Sequence, residues 1–278
     1  MIRVIVSGSF DDMRSGQVRL LQEAARLGPV QMLLWSDEAV KKFEDRAPRY
    51  PFEERRYFWE AVRHVDQVRR YDGSLGPDAI PLGACDEMGA GAGPVVWAVD
   101  ESSDTAARCA WCRSQGLQYR VFTREDVQGF PEQPPDRSPS AARTRVIVTG
   151  CYDWLHSGHV RFFEEVSALG DLYVVVGHDA NIRLLKGEGH PLFCQQERRY
   201  MVQAIRYVQQ ALISTGHGWL DAQPEIEQIR PHIYAVNEDG DRPEKRAYCE
   251  ARGIEYRVLK RLPKEGLPRR QSTDLRGF

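Results

Sequence analysis

The chain has 278 residues, 42% hydrophobic and 28% charged, which is long enough for two hydrophobic cores and too apolar for a disordered protein. Its 38 Lys and Arg against 40 Asp and Glu leave a net charge of −2, so neither a nucleic-acid nor a membrane partner is expected and any anionic ligand must be held by local charge. No stretch approaches the roughly 18 to 20 apolar residues of a membrane span, the first residues run into a strand pattern instead of a secretory signal, and the six cysteines are scattered, so a soluble, cytoplasmic protein without a disulfide framework is expected.

The first predicted strand is Arg3-Val4-Ile5-Val6-Ser7, followed by the turn Gly8-Ser9-Phe10-Asp11-Asp12-Met13-Arg14-Ser15-Gly16-Gln17. Further on, Met88 to Gly93 is glycine-rich but does not stand between a strand and a helix start in the phosphate-binding pattern, and it reads as a surface loop. Next come an apolar run, Pro94 to Asp100, and the pair Cys109 and Cys112. That pair has redox or zinc-knuckle spacing, yet it has no second Cys pair and falls in a helical segment, so it reads as two helix cysteines in a reducing compartment. A polar, proline-rich stretch, Pro131 to Ser140, reads as a linker and divides the chain into domains 1–138 and 139–278.

Beyond the linker the order repeats: Arg145-Val146-Ile147-Val148-Thr149, the turn Gly150-Cys151-Tyr152-Asp153-Trp154-Leu155-His156-Ser157-Gly158-His159, a helical pattern over Val160 to Val166, and the apolar run Leu172 to Val176. Continuous β-branched runs alternating with helices predict a doubly wound, Rossmann-like α/β domain with a parallel sheet covered on both faces. Gly8 and Gly150 stand 142 residues apart, whereas Pro94 and Pro231, and Gly116 and Gly253, stand 137 apart. Two tandem domains related by internal duplication are therefore expected, with a net insertion in the first.

His156 and His159, spaced i and i+3 around Gly158 just before a helix, place two imidazoles beside free backbone N–H groups and the positive end of a helix dipole. That combination suits a polyphosphate. A zinc site would need three or four ligands, and no nearby Cys or carboxylate completes the set.

With these residues in view, the second half resembles the HxGH nucleotidyltransferase superfamily and its cytidylyltransferase family, being most similar to phosphoethanolamine cytidylyltransferases, which are also tandem duplications. The resemblance rests on Gly150-Cys151-Tyr152-Asp153 with His156 and His159, on Lys186-Gly187, on Pro191-Leu192-Phe193 leading to Glu197-Arg198, on Met201-Val202-Gln203-Ala204-Ile205, and on Arg269-Arg270-Gln271-Ser272-Thr273-Asp274-Leu275. It implies transfer of CMP from CTP to a small phosphoalcohol such as phosphoethanolamine, with release of pyrophosphate and magnesium (Mg2+) as the polyphosphate's partner.

The catalytic residues so implied are His156, His159, Lys186 and Thr273. Gly150, Cys151, Tyr152, Gly158, Gly177, Arg198, Arg270 and Ser272 would bind the nucleotide, and Asp153 and Trp219 the phosphoalcohol. Arg261 and Arg270 both stand as candidates for the phosphate clamp. Arg183-Leu184-Leu185-Lys186-Gly187 is also similar to adenylyltransferases that make ADP-sugars, so ATP is the alternative nucleotide. A non-catalytic, nucleotide-binding regulatory protein is the third reading, favoured by the unusual segment Asn237 to Asp241 and opposed by the intact histidines.

The first half has Arg14 and Gln17 where the histidines stand, and Glu44 or Phe43 in place of Lys186. Its match to the terminal signature dissolves after Gly129-Phe130-Pro131, so it is expected not to catalyse. Related single-domain enzymes tend to be homodimers, which implies that the inactive half acts as an intramolecular pseudo-dimer partner and leaves a homo-oligomer open.

Overall fold

In the computed structural model, which describes residues 2–81, 93–133 and 143–275, the two apolar runs that open the halves form the central strands of two parallel sheets. The side chains of Thr273 and Asp274 are also outside the described set. Contacts divide the chain into two compact units, Met1–Gly129 and Phe130–Phe278. The expected domain boundary between residues 138 and 139 lies outside the described residues, as do most of the linker and residues 88–92 of the glycine-rich stretch.

The first unit runs β1 (Arg3–Gly8), α1 (Ser15–Ala25), β2 (Val30–Trp35), α2 (Asp37–Glu44), α3 (Phe52–Glu60), β3 (Gln67–Tyr71), β4 (Val95–Asp100), α4 (Ala106–Ser114) and β5 (Gln118–Phe122). The second runs β6 (Arg145–Gly150), α5 (Ser157–Ser167), β7 (Asp171–Val176), α6 (Asp179–Lys186), α7 (Gln195–Gln203), β8 (Val208–Ile213), α8 (Gln223–Ile229), β9 (Ile233–Asn237), α9 (Pro243–Glu250) and β10 (Glu255–Leu259). Strand orders are β3-β2-β1-β4-β5 and β10-β9-β6-β7-β8, so each sheet places its first strand in the centre and reverses direction there. Each unit is an α/β, Rossmann-like layer structure.

Composition explains the layers. β2 and β7 are buried along their whole length, as continuous apolar strands of a parallel sheet must be. On one face of the second sheet, Ala222, Ile226, Tyr248 and Cys249 from α8 and α9 pack on Ile147, Tyr173, Val175 and Tyr234. The crossovers through α5 and α7 run the other way along the sheet, so right-handed connection places those helices on the opposite face. The helix starts are cut by the sequence: Ser36 caps α2 by accepting from the Ala39 N–H at 3.1 Å, and His178 caps α6 by accepting from the Asn181 N–H at 3.2 Å.

One register detail opens the functional end. β6 pairs with β7 from Arg145 to Gly150 but with β9 only at Val146 and Ile147. Beyond Ile147 the two strands diverge, and the carboxyl ends of β6 and β9 frame a gap at the point where the strand order reverses. Ligands of open α/β sheets bind at such a place. The first sheet does the same, because β1 pairs with β4 only from Arg3 to Ile5.

The paired cysteines sit on α4, and Cys112 is buried in the first core as Cys249 is in the second. Burial pushes both thiols up to about 11, so neither is a ready nucleophile or metal ligand. Among the described residues no helix is long and apolar enough to cross a membrane.

Candidate active site

The gap between β6 and β9 is a cleft of about 300 Å³, lined by Thr149 to Asp153, Gly158, His159, Phe162, Lys186, Val236, Asn237, Asp239, Gly240, Lys245, Arg261, Gln271 and Ser272. Residues far apart in the sequence therefore meet over the carboxyl ends of two strands and the start of α5.

The turn that enters α5 is built by two close approaches. Tyr152 adopts a φ of 53°, which turns its ring back under Gly150, where a Cβ would lie 2.7 Å from that ring. At Gly158 a Cβ would come within 2.9 Å of the His156 ring. Both glycines thus let aromatic rings pack directly on the backbone. Tyr152 is buried and its ring lies edge-on to His159, with centroids 5.4 Å apart; burial raises its phenol.

His156 is wholly buried and serves as the cap of α5, its Nδ1 accepting from the Gly158 N–H at 3.0 Å. Its Nε2 and the Nδ1 of His159 are buried without a hydrogen-bond partner among the described residues. The two rings lie with centroids 4.0 Å apart. Burial holds the His159 imidazole down to about 3, assisted by the charges of Arg261 and Lys186, and holds His156 well below its usual range, assisted by His159, Arg261 and Arg270. Both rings are therefore neutral at ordinary pH, with one unsatisfied nitrogen each beside a cleft rich in cations.

Lys186 ends α6 and lines the cleft. Arg261 also lines it, pairing with Asp239 and donating to the Arg270 carbonyl at 3.3 Å. Arg270 borders a small adjoining hollow with Arg261 and Gly158 instead of the main cleft. Of the two clamp candidates, Arg261 is thus the one whose side chain reaches the cleft itself. Ser272 lines the cleft and opens the short 3₁₀ turn Ser272–Leu275, whose backbone includes Thr273; its Oγ donates to the Trp154 carbonyl at 3.4 Å. Cys151 lines the cleft, and burial raises its thiol.

Other expected site residues have different duties. Arg198 is 1% exposed, and its guanidinium donates to the carbonyls of Phe193 at 2.9 Å, Cys151 at 2.6 Å and Gly177 at 2.8 Å and to Asp179 at 2.7 Å. It braces the motif from behind and does not line the cleft. Asp153 accepts from the Leu192 N–H at 2.8 Å and the Phe193 N–H at 3.0 Å, fastening the α6–α7 connection to the motif. Asp153 lines the cleft, and its carboxylate is engaged by that connection. Gly177 lies outside the lining, and a Cβ there would meet Ile182 at 2.7 Å. Trp219 is half exposed with the Arg242 guanidinium 4.5 Å over its ring, and it too lies outside the lining.

The first unit has the same scaffold with a different set of charges. Arg55 donates to the carbonyls of Tyr50 at 2.9 Å and Ser9 at 2.6 Å and to Asp37 at 2.7 Å, repeating the Arg198 arrangement, and Asp11 accepts from the Arg49 and Tyr50 N–H groups as Asp153 does from its own loop. Phe10 repeats the left-handed backbone of Tyr152 with a φ of 43°. The corresponding cleft, about 420 Å³, is lined by Gln17, Glu44, Asp78 and Asp100 among others. Arg14 is drawn aside to Asp12, 3.2 Å away.

Lys245 is the lining residue that the sequence reading passed over. It sits on α9, buried, with its Nζ donating to the Thr149 Oγ1 at 3.4 Å and lying 5.7 Å from the Tyr234 ring. Its signal was present: at the 137-residue spacing it aligns with Arg108, which is likewise buried and lies 5.5 Å from the Trp97 ring.

The cytidylyltransferase-like family model matches residues 147–239. The FAD synthase of Aciduliprofundum boonei is 38% identical over 125 residues, 44% of this chain and 80% of that protein, and the FAD synthase of Ferroglobus placidus is 34% identical over 124 residues, 44% and 78% respectively. The bifunctional protein HldE of Pelobacter propionicus is 37% identical over 95 residues, 34% of this chain but 19% of HldE.

Proposed function

Since this chain belongs to the cytidylyltransferase-like family, whose members among the HxGH enzymes are nucleotidyltransferases, we propose that its second unit transfers an adenylyl group from ATP to a phosphate monoester and releases pyrophosphate. The observation that carries the reading is the pair of orphaned imidazole nitrogens, His156 Nε2 and His159 Nδ1, at the start of α5 in a cleft that also holds Lys186 and Arg261. ATP is favoured over CTP by the relatives, since two of them are FAD synthases, which use ATP. Phosphoethanolamine has no support among these relatives, and a phosphate monoester is the acceptor class that the chemistry itself requires. The common strand order of the two sheets and the shared Arg55 and Arg198 networks support descent of the two units from one duplicated domain, with the first no longer catalytic.

In the reaction a phosphate oxygen of the acceptor attacks the α-phosphorus, a new P–O bond forms, and the bond to the β-phosphate bridging oxygen breaks. Negative charge grows on the α-phosphoryl oxygens and the departing pyrophosphate, so the protein's task is positioning and preorganised positive donors. His159 would take up a proton at its orphaned Nδ1 as the polyphosphate arrives and become a charged donor there, while His156, whose Nδ1 accepts from the Gly158 N–H, already presents Nε2–H as a neutral donor. Arg261, the Ser272 hydroxyl and the amides of the Ser272–Leu275 turn would hold the leaving pyrophosphate, and Lys186 the incoming acceptor. Among the described residues no three His, Cys, Asp or Glu side chains cluster to hold a metal, so magnesium would be carried by the polyphosphate and neutralise its charge there.

Pyrophosphate release should be measured with ATP and with CTP against FMN, sugar phosphates and phosphoethanolamine, with His159→Ala beside the wild type. ATP-dependent release that the substitution lowers on the order of 10²- to 10³-fold supports the reading. CTP-dependent release would restore cytidylyl transfer, which the GCYD motif and Met201 to Ile205 favour, and release with neither would leave a nucleotide-binding protein without turnover.

A further inference from the structure

Lys245 and Arg108 occupy equivalent places in the two units and are treated differently by their surroundings. Each lies over an aromatic residue of the fourth strand, Tyr234 or Trp97, on the helix that follows. The segments Asp78-Ala79-Ile80-Pro81 and Asp221-Ala222-Gln223-Pro224 also correspond, so each unit brings an aspartate to the same neighbourhood. In the first unit Asp78 sits 3.1 Å from the Arg108 Nε, and the Ser103 carbonyl takes a second N–H, so the buried charge is neutralised internally. In the second unit the Asp221 carboxylate accepts from Ser214 Oγ at 2.7 Å, and among the described residues Lys245 has no ion pair. Its ammonium, nine-tenths buried, is left with one long hydrogen bond to Thr149 at the floor of the open cleft.

A buried ammonium with no carboxylate in direct contact is expensive, and burial pulls Lys245 below its ordinary range against the opposing charge of the nearby Asp221, which Ser214 already engages. Such a group persists where a ligand anion completes it. Its position says which anion. The histidines and the Ser272 turn stand at the start of α5, on one face of the sheet, and in-line displacement sends the pyrophosphate out on the side of those groups. The attacking oxygen must then arrive from the other side of the α-phosphorus, where α9 brings Lys245 to the Thr149 end of β6.

Resting on the adenylyl-transfer reading, we propose that Lys245, with the Thr149 hydroxyl, binds the phosphate group of the acceptor at the floor of the cleft alongside Lys186. The second unit thereby selects acceptors that carry a phosphate dianion. The first unit, whose equivalent Arg108 is closed off by Asp78, has no such selection.

The test reads binding without turnover. Inorganic phosphate is titrated calorimetrically into the full chain saturated with α,β-methylene-ATP, comparing wild type, Lys245→Met and Lys245→Arg. Loss of one charge-assisted contact should weaken phosphate binding by about 10- to 100-fold in Lys245→Met, with Lys245→Arg close to wild type and affinity for the analogue unchanged. Removing an unpaired buried charge should also leave the thermal midpoint of Lys245→Met at or above that of wild type, so a folding defect is recognisable. Unchanged phosphate affinity in Lys245→Met, or a loss of analogue affinity in its place, overturns the proposal. Absence of pyrophosphate release with every acceptor would sink the adenylyl-transfer reading alone, because Lys245-dependent phosphate binding would still be seen.

Discussion

The His156 and His159 rings lie with centroids 4.0 Å apart, and each presents one buried nitrogen that no group among the described residues satisfies. Two imidazoles at this distance cannot both carry charge in an apolar surrounding, which is why burial and the nearby Arg261 hold them neutral. A triphosphate bound in the cleft would supply the missing counter-charge.

The first prediction is a ligand-dependent protonation. In the free protein His159 should stay neutral through pH 5, being held down to about 3, and binding of α,β-methylene-ATP should raise it toward the ordinary histidine range. A folded value below the unfolded one means the unfolded chain binds the extra proton. Stability contributed by the neutral ring is therefore present above about pH 6.5 and declines as pH falls from there toward 3. Imidazole chemical shifts followed with pH, with and without the analogue, test both points; a His159 that titrates near 6.5 in the free protein contradicts them.

The second concerns Arg198, whose guanidinium is fully engaged by the backbone of the motif and by Asp179. Arg198→Ala should lower the stability of the second unit by about 3–5 kcal/mol, since it strips the partner from a buried ion pair and orphans several carbonyls. Arg55→Ala should do the same to the first unit. Denaturant midpoints of the two variants decide this, and an Arg198→Ala chain of unchanged midpoint with a raised KM for nucleotide would return the residue to the binding site.

These two arginines show what was legible in the sequence and what was not. Periodic apolar runs, the glycine turns and the 142-residue spacing were enough to anticipate two parallel α/β sheets, because those features depend on local pattern. The motif histidines were legible for the same reason: they sit within ten residues of one another beside a helix start. Arg198 and Asp153 were read as ligand contacts because a motif marks what is needed, without saying whether it is needed by the substrate or by the turn. Their recurrence in the first unit, as Arg55 and Asp11, was the available sign of a structural duty, since that half carries them without a counterpart of Lys186 or of either histidine. The 137-residue spacing marks Lys245 as the counterpart of Arg108, but its place in the cleft became visible only once β6 and β9 were seen to part, because its neighbour Thr149 lies 96 residues away in the chain.

The third prediction is stoichiometric. The first cleft is the larger of the two, yet Glu44 lines it where Lys186 stands in the second, Asp78 and Asp100 line it as well, its Arg108 is already paired with Asp78, and Trp35 and Phe43, with centroids 5.0 Å apart, pack beside them. Carboxylates in a partly enclosed cleft repel a triphosphate. Equilibrium dialysis should therefore give one nucleotide per chain, and Lys186→Glu with His159→Ala should abolish that single site. Two equivalents bound by the wild-type chain would show that the first cleft retains nucleotide affinity.

The fourth uses Gly158 to separate geometry from chemistry. A Cβ at this position would lie 2.9 Å from the His156 Cε1 and 3.0 Å from the Nδ1, while its backbone conformation is ordinary for a helix start, so alanine is resisted by the ring and not by the chain. The ring must turn or shift, and with it goes the bond from the Gly158 N–H that fixes the free Nε2. A displacement of that size in a positioning group costs on the order of 10²-fold in rate. Gly158→Ala should thus lower kcat by about that factor while the thermal midpoint moves little and the KM values stay near those of wild type. A variant that unfolds would place the close approach in the service of the fold, and one that turns over normally would mean that His156 is free to move without consequence for the reaction.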